Sequence, residues 1–120
     1  MIAGFVDDVG VPMIPLRIAE TDLMGIVDSG FNGDLELPER LSEETPRRFQ
    51  GTFESQLAGG QVITEDWYLV DLEFDGEWVE AMRTFAQSET ALIGTRLMQE
   101  HRLQIDFVDR SVLLTRTEPD

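Results

Sequence analysis

Apolar residues in this chain recur mostly at every second position, in short runs cut by turn residues, which is the spacing of strands. Ile2–Val6 and 11–19 are apolar stretches separated by Asp-Asp-Val-Gly, the composition of a hairpin turn. Pro12 and Pro15 fall in the second stretch and predict an edge strand, since proline donates nothing to a ladder. A short apolar run over 24–27 leads straight into Asp28, and Leu35 and Leu37 then alternate with Asp34 and Glu36 as a brief half-buried strand. Pro38 followed by Glu-Arg-Leu-Ser-Glu-Glu-Thr predicts one or two helical turns, because proline is tolerated in a first turn. Pro46 closes them.

The second half keeps the same rhythm. The stretch 47–57 runs extended into Ala58, Gly59 and Gly60, a turn signal. Val62–Phe74 is the longest predicted strand, with Tyr68, Val70, Leu72 and Phe74 on one face and Asp71 and Glu73 on the other. Asp75 and Gly76 turn it into 78–85, a second hairpin. After a short apolar strand at 91–94, Thr95 reads as the N-cap of a short helix over 95–101 with Leu97 and Met98 facing inward. Leu103, Ile105 and Phe107 then alternate with Gln104 and Asp106, Asp109 and Arg110 turn the chain, and 111–117 forms the last strand. Seven to nine strands with one or two short helices predict a mostly β barrel or sandwich, all in one domain over 1–120.

Charge narrows the partners. Twenty-four acidic residues against nine basic ones give a net charge of -15. Such a surface repels phosphate backbones and anionic bilayers, so neither nucleic acid nor a membrane is an expected partner. The acids are spread along the chain and read mainly as a solvated surface. No run approaches the roughly 18 apolar residues of a spanning helix, and no basic segment precedes an apolar one at the start, so no signal peptide is expected. The absence of cysteine excludes disulfides and thiolate metal sites and fits a cytoplasmic location. His101 is the sole histidine, which argues against zinc and against a Ser29–His101 nucleophilic pair. Trp67 and Trp78 are expected in the core or at an interface.

Candidate chemistry concentrates in GIVDSGFNGDLELP, residues 25–38. Two readings compete. As a calcium loop it would offer Asp28, Asn32, Asp34 and Glu39 as oxygen ligands, with Gly33 at the sharp turn. Its third position is Gly30, which has no side-chain oxygen, its flanks lack helical character, and Pro38 sits inside it. Peptide hydrolysis by paired carboxylates asks for something else. Two aspartates about 3 Å apart share one proton, so that one acts as base and the other as acid. Holding an aspartate there takes a tight loop after a buried strand, a small hydroxyl to tie neighbouring backbone, and a glycine that lets two loops approach. Val27, Asp28, Ser29 and Gly30 meet each demand.

The same stretch resembles the active-site segment of retropepsin-like aspartic proteases, where apolar residues lead into D-[TS]-G and a strand follows. VDSGFNGDLELP is similar to the V-D-T-G-F-x-G-x-L-x-L-P run of the microbial single-domain members. Three further elements follow in the family's order. Leu57, Ala58, Gly59 and Gly60 stand where its flap lies, 67–85 around Asp75 and Gly76 matches its second hairpin, and Leu92, Ile93 and Gly94 precede 95–101. The resemblance implies a closed, mostly antiparallel β-barrel in which Gly94 lies beside the catalytic loop, where a side chain would collide. It also implies an aspartic endopeptidase with Asp28, Ser29 and Gly30 as catalytic residues and Ala58, Gly59 and Gly60 as the substrate-covering flap. No metal or organic cofactor is needed. The sequence holds one D-[ST]-G, so the second aspartate must come from a second copy, in a homodimer with a two-fold axis. A peptide or protein substrate would lie extended in the cleft. Ser29 replaces the commoner threonine, Thr95 replaces an arginine with Arg96 one place later, and the termini do not match the retroviral terminal sheet. The rival from another class is a non-catalytic barrel of the same fold serving as a binding or dimerisation module.

Overall fold

The computed structural model describes residues 1–18, 20–41, 48–56, 58–86 and 89–117. Ten strands follow in order: β1 (Ile2–Val6), β2 (Pro12–Ile18), β3 (Thr21–Val27), β4 (Leu35–Pro38), β5 (Arg48–Gln56), β6 (Val62–Phe74), β7 (Glu77–Ala86), β8 (Ala91–Ile93), β9 (His101–Asp106) and β10 (Ser111–Arg116). They form one sheet in the order β5-β6-β7-β4-β8-β3-β2-β1-β10-β9. Neighbours pair antiparallel except at the centre, where β3 runs parallel to β8 and β4 parallel to β7. The sheet curls strongly enough that β2 meets β6 across four intervening strands. Inside the curl lies the core, which includes Ile14, Leu37, Phe74, Ala91, Ile93 and Leu114.

One expectation is met only in part and two need correcting. The sheet has free edges at β5 and β9, so it is a curled half-barrel and its closure into a barrel is not seen. Both edges carry devices that discourage further pairing: charged Arg102 and Asp106 exposed on β9, and a bulge between Phe49 and Gly51 on β5. Second, Pro12 and Pro15 do not make β2 an edge, since β2 lies between β3 and β1. The prolines are tolerated because β1 covers β2 only at Pro12 and Met13, leaving Pro15 paired to β3 alone. There the two backbones press together: a Cβ on Gly4 would stand 1.9 Å from the Met13 carbonyl oxygen.

Third, 95–100 forms successive turns and β9 begins at His101, where a helix was expected. Met98 N–H donates to Thr95 O (3.1 Å) and His101 N–H to Met98 O (2.9 Å), bonds of i to i+3 type. So short a segment cannot propagate a helix on its own. Met98 is nevertheless buried, with Leu97 packed beside it. The helix expected after Pro38 is one 3₁₀ turn, Glu39–Leu41, and its remainder, with Pro46, lies outside the described residues.

The second hairpin turns as its sequence demands. Asp75 (φ 53°) and Gly76 (φ 82°) both take positive φ, the requirement of a type I′ turn. The Asp75 carboxylate, itself buried, accepts from the Met1 amine and stands 3.2 Å from His101 Nε2, linking this turn to the starts of β1 and β9. The amine holds that carboxyl below its ordinary value against the opposing effect of burial, and His101 adds to it. Phe107 lies exposed in the turn after β9, and Trp78 is 73% exposed, outside the core. Trp67 is half-buried. Among the described residues no helix is long and apolar enough to cross a membrane.

Candidate active site

Asp28 stands where β3 leaves the sheet, immediately after buried Val27. The parallel partner β8 fixes that exit point: Val27 pairs with Ile93, and Asp28 N–H donates to Ile93 O at 3.0 Å. The glycine inside β3 leaves room for neighbouring side chains, since a Cβ on Gly25 would come 2.7 Å from Ile93 Cδ1 and 3.1 Å from Leu16 Cδ1. Beyond Asp28 the backbone turns at once. Phe31 N–H donates to Asp28 O (3.1 Å), and Gly30 N–H donates to Asp28 Oδ1 (2.9 Å), the local bond of an Asx turn. Asp28 is half-buried, and Ser29 and Gly30 are exposed.

The rest of the loop is stitched to the segment after β8. Gly94 N–H donates to Asp34 O (2.9 Å), Thr95 N–H to Phe31 O (2.8 Å) and Arg96 N–H to Gly33 O (3.2 Å). Gly94 must be glycine for this contact, since its Cβ would lie 2.0 Å from the Gly33 carbonyl oxygen. Thr95, read from the sequence as a helix cap, thus serves as a strut beneath Phe31. Asp34, 7% exposed, is a structural acceptor: its Oδ2 accepts from Met82 N–H of β7 at 2.8 Å. Nothing in the sequence marked Asp34 as a structural acceptor. The Ser29 hydroxyl, expected to tie neighbouring backbone, has no hydrogen-bond partner among the described residues; the Gly30 N–H does the bracing within one chain.

Ala58, Gly59 and Gly60 form the exposed turn between β5 and β6, with Gly60 at φ 81°, while Leu57 lies outside the described residues. Farther down, the same hairpin meets the Asp28 loop. Phe53 of β5 with Glu65 and Trp67 of β6 line a cavity of about 280 Å³, together with Phe31, Gly33 and Asp34 of the loop, Leu35 and Glu36 of β4, and Met82 and Thr84 of β7. Burial raises the Glu36 carboxyl above its ordinary value; the charge of Glu65 adds to this, a Thr84 hydrogen bond opposes it, and the charge of Asp28 raises it further. The two carboxyls are therefore within electrostatic reach of each other. Sequence reasoning placed Glu36 only on the polar side of a strand, and no local signal set it apart. A larger cavity, about 840 Å³, opens between β1–β2 and the β6–β7 hairpin, and the Asp28 loop takes no part in it.

The stretch 28–39 lies between β3 and a 3₁₀ turn and contains β4, so the paired helices of a calcium loop are replaced by strands. Among the described residues no group of three or more His, Cys, Asp or Glu side chains is arranged to hold a metal ion.

No protein-family model and no curated protein sequence matches the chain. Solved structures do. A retropepsin-like aspartic protease from Rickettsia conorii superposes with a TM-score of 0.70 at 15% identity, over 95% of this chain and 89% of that one. The foamy viral protease-reverse transcriptase in complex with an RNA/DNA hybrid gives 0.60 at 21% identity, over 80% of this chain and 13% of that one. The foamy viral protease-reverse transcriptase dRH in complex with double-stranded DNA gives 0.59 at 20%, over 77% and 15%. This chain thus spans a small part of the two viral chains and most of the rickettsial one, and its fold is retropepsin-like.

Proposed function

We propose that this chain, on its retropepsin-like fold, is an aspartic endopeptidase: one domain over 1–120 that acts as a homodimer, with Asp28 of each copy forming a catalytic dyad. What carries the reading is the clamp on the Asp28 loop. An aspartate at the end of a buried strand is held by β8 behind it and by Gly94, Thr95 and Arg96 beside it, and its carboxylate remains accessible. So many backbone bonds on one exposed loop fit a loop whose carboxylate must be positioned, as catalysis requires.

In the dimer the two Asp28 carboxyls hold one proton between them. The ionised one takes a proton from water as the oxygen attacks the scissile carbonyl carbon. The protonated one gives its proton to the carbonyl oxygen, yielding a neutral tetrahedral diol. Collapse of that diol breaks the C–N bond: the carboxyl that took the water proton gives it to the departing amine, and the other carboxylate takes a proton from a diol hydroxyl, which restores the shared proton. Gly30 N–H on Oδ1 leaves Oδ2 for the water and the partner carboxyl. The β5–β6 hairpin, with Ala58, Gly59 and Gly60 at its tip, serves as the flap, and the peptide lies extended beneath it. Water activated by the dyad needs no metal or organic cofactor.

The test joins mass in solution to activity. Sedimentation at tens of micromolar, near neutral and at mildly acidic pH, should show a dimer, whose interface is expected in the obligate range of roughly 2,000 Å² or more. Wild type should cleave an unfolded protein, best on the acidic side of neutrality where the shared proton is retained. Asp28→Asn, shown folded by circular dichroism, should not. Equal cleavage by both would assign the activity elsewhere, and a dimer that cleaves nothing at any pH would leave the non-catalytic binding module.

A further inference from the structure

Glu36 is a polar residue on an otherwise apolar strand. Leu35 and Leu37 on either side of it are buried in the core, so Glu36 projects from the opposite face of β4. On that face its register partners are Thr84 of β7 and Leu92 of β8, the strand whose next residue holds Asp28. The flap hairpin supplies the facing wall. Phe53 and Glu65 are directly opposed across β5 and β6, and Trp67 follows Glu65 on the same side of its strand. Phe31, hydrogen-bonded through its N–H to Asp28, completes the enclosure.

The cavity these residues bound holds about 280 Å³. That is just below the roughly 300–1,000 Å³ of small-molecule pockets, and suits a single long side chain. Its walls carry the aromatic rings of Phe31, Phe53 and Trp67 and three carboxylates, those of Asp34, Glu36 and Glu65, of which Asp34 is engaged by Met82 N–H. We infer that this cavity is a specificity subsite that receives the lysine or arginine side chain of a peptide bound along the Asp28 cleft. The inference rests on the peptide-cleaving reading of Asp28.

A cation placed here meets Glu36 and Glu65 at once and replaces their mutual repulsion with attraction. Its aliphatic stem lies against Phe31, Phe53 and Trp67, whose ring faces also attract the charged head. An uncharged side chain of equal length would fill the space but leave Glu36 half-buried next to another carboxylate. An acidic one would add a further negative charge. Burial raises the Glu36 carboxyl, and the charge of Glu65 adds to it.

The chain's net charge of -15 favours basic peptides everywhere, so the test must separate one subsite from a general field. Peptides identical but for one residue carry lysine, norleucine or glutamate, scanned through four positions on each side of the scissile bond. Cleavage is read as kcat/KM with the wild-type dimer, and binding as fluorescence anisotropy with Asp28→Asn. Lysine should exceed norleucine by roughly tenfold to a hundredfold at one position, the range for a charge-assisted contact. Glu36→Gln and Glu65→Gln should each remove most of that preference, and exposed Asp8→Asn should leave it intact. A preference that is absent, equal at all positions or unchanged in both glutamine variants overturns the subsite. If the wild type cleaves nothing, a position-specific lysine preference in binding upholds the subsite while hydrolysis fails. Cleavage without such a preference does the reverse.

Discussion

Adding one methyl group at Gly94 puts the clamp on the Asp28 loop under direct strain. In Gly94→Ala the new carbon would lie 2.0 Å from Gly33 O, 2.7 Å from Gly33 C and 2.9 Å from Phe31 Cδ2. The Phe31 ring can turn aside, but the Gly33 carbonyl is backbone and is also the acceptor for Arg96 N–H. Relief requires the two segments to separate, which lengthens that bond and the Gly94 N–H to Asp34 O bond. Overpacking of this kind costs about 1–3 kcal/mol, and each weakened hydrogen bond about 0.5–1.5 kcal/mol. Together they amount to roughly 2–6 kcal/mol. For a chain of this size that is a fall in Tm on the order of 10 °C. Gly59→Ala is the control, because its Cβ would meet nothing within 4 Å and its backbone is not at positive φ. It should hold or slightly raise the Tm by restricting the unfolded chain. Both variants are melted by circular dichroism at the same concentration as wild type, since a dimer's Tm depends on concentration. Peptide cleavage should fall with Gly94→Ala even well below its Tm, as the loop shifts. A Gly94→Ala protein melting within a degree or two of Gly59→Ala would refute the clamp.

Three other outcomes follow from the charged groups. Glu36 is raised in the folded chain, so its contribution favours folding at low pH and is lost as pH rises from about 4.5 through the folded value. Glu36→Gln should therefore gain stability relative to wild type at pH 7 and lose that advantage by pH 4, as read by urea unfolding; an equal loss at both pH values would contradict the electrostatic origin. Asp75 is lowered, so its contribution is present above the ordinary value of 3.8 and disappears as pH falls through the folded one. Asp75→Asn should cost about 1–3 kcal/mol at pH 7, through a weakened tie to the Met1 amine and His101, and progressively less as pH falls below 3.8; a pH-independent cost would point to packing. Ser29→Ala should leave the melting of a dilute, monomeric sample unchanged, because that hydroxyl has no partner among the described residues, and should raise the dimer dissociation constant measured by sedimentation; an unaltered constant would deny the hydroxyl any role in the dimer.

The strands were legible where one face is buried and the other wet. Val62–Phe74 is such a case, and its period of two places Val70, Leu72 and Phe74 in the core. Asp75 and Gly76 named their own turn, since few residue pairs accept two positive φ values. Gly94 was marked by the family resemblance and its reason is steric. What could not be read depends on contacts between distant segments. Pro15 argued for an edge because local chemistry cannot reveal that β1 stops covering β2 after Met13. Thr95 looked like a cap because its real partner, Phe31 O, lies far back in the chain. Glu36 carries no signature of its own; Glu65 and Phe53 reach it only through the hairpin's return across β7 and β4.

The parallel pairing of β3 with β8 also sets a timetable. Asp28 is held by Ile93, and its loop by Gly94, Thr95 and Arg96, residues more than half the chain length downstream. During synthesis the amino-terminal half can form β1–β2–β3 by local hairpins, but the aspartate has nothing behind it until β8 arrives. Such non-local closure is slow compared with hairpin formation. The loop is therefore one of the last parts of the protomer to set, and the proposed dyad further waits on a second finished copy. A nascent chain with this topology carries Asp28 unassembled past the ribosome, and under the proposed function it would cut peptides only after it has ceased to be an unfolded peptide itself.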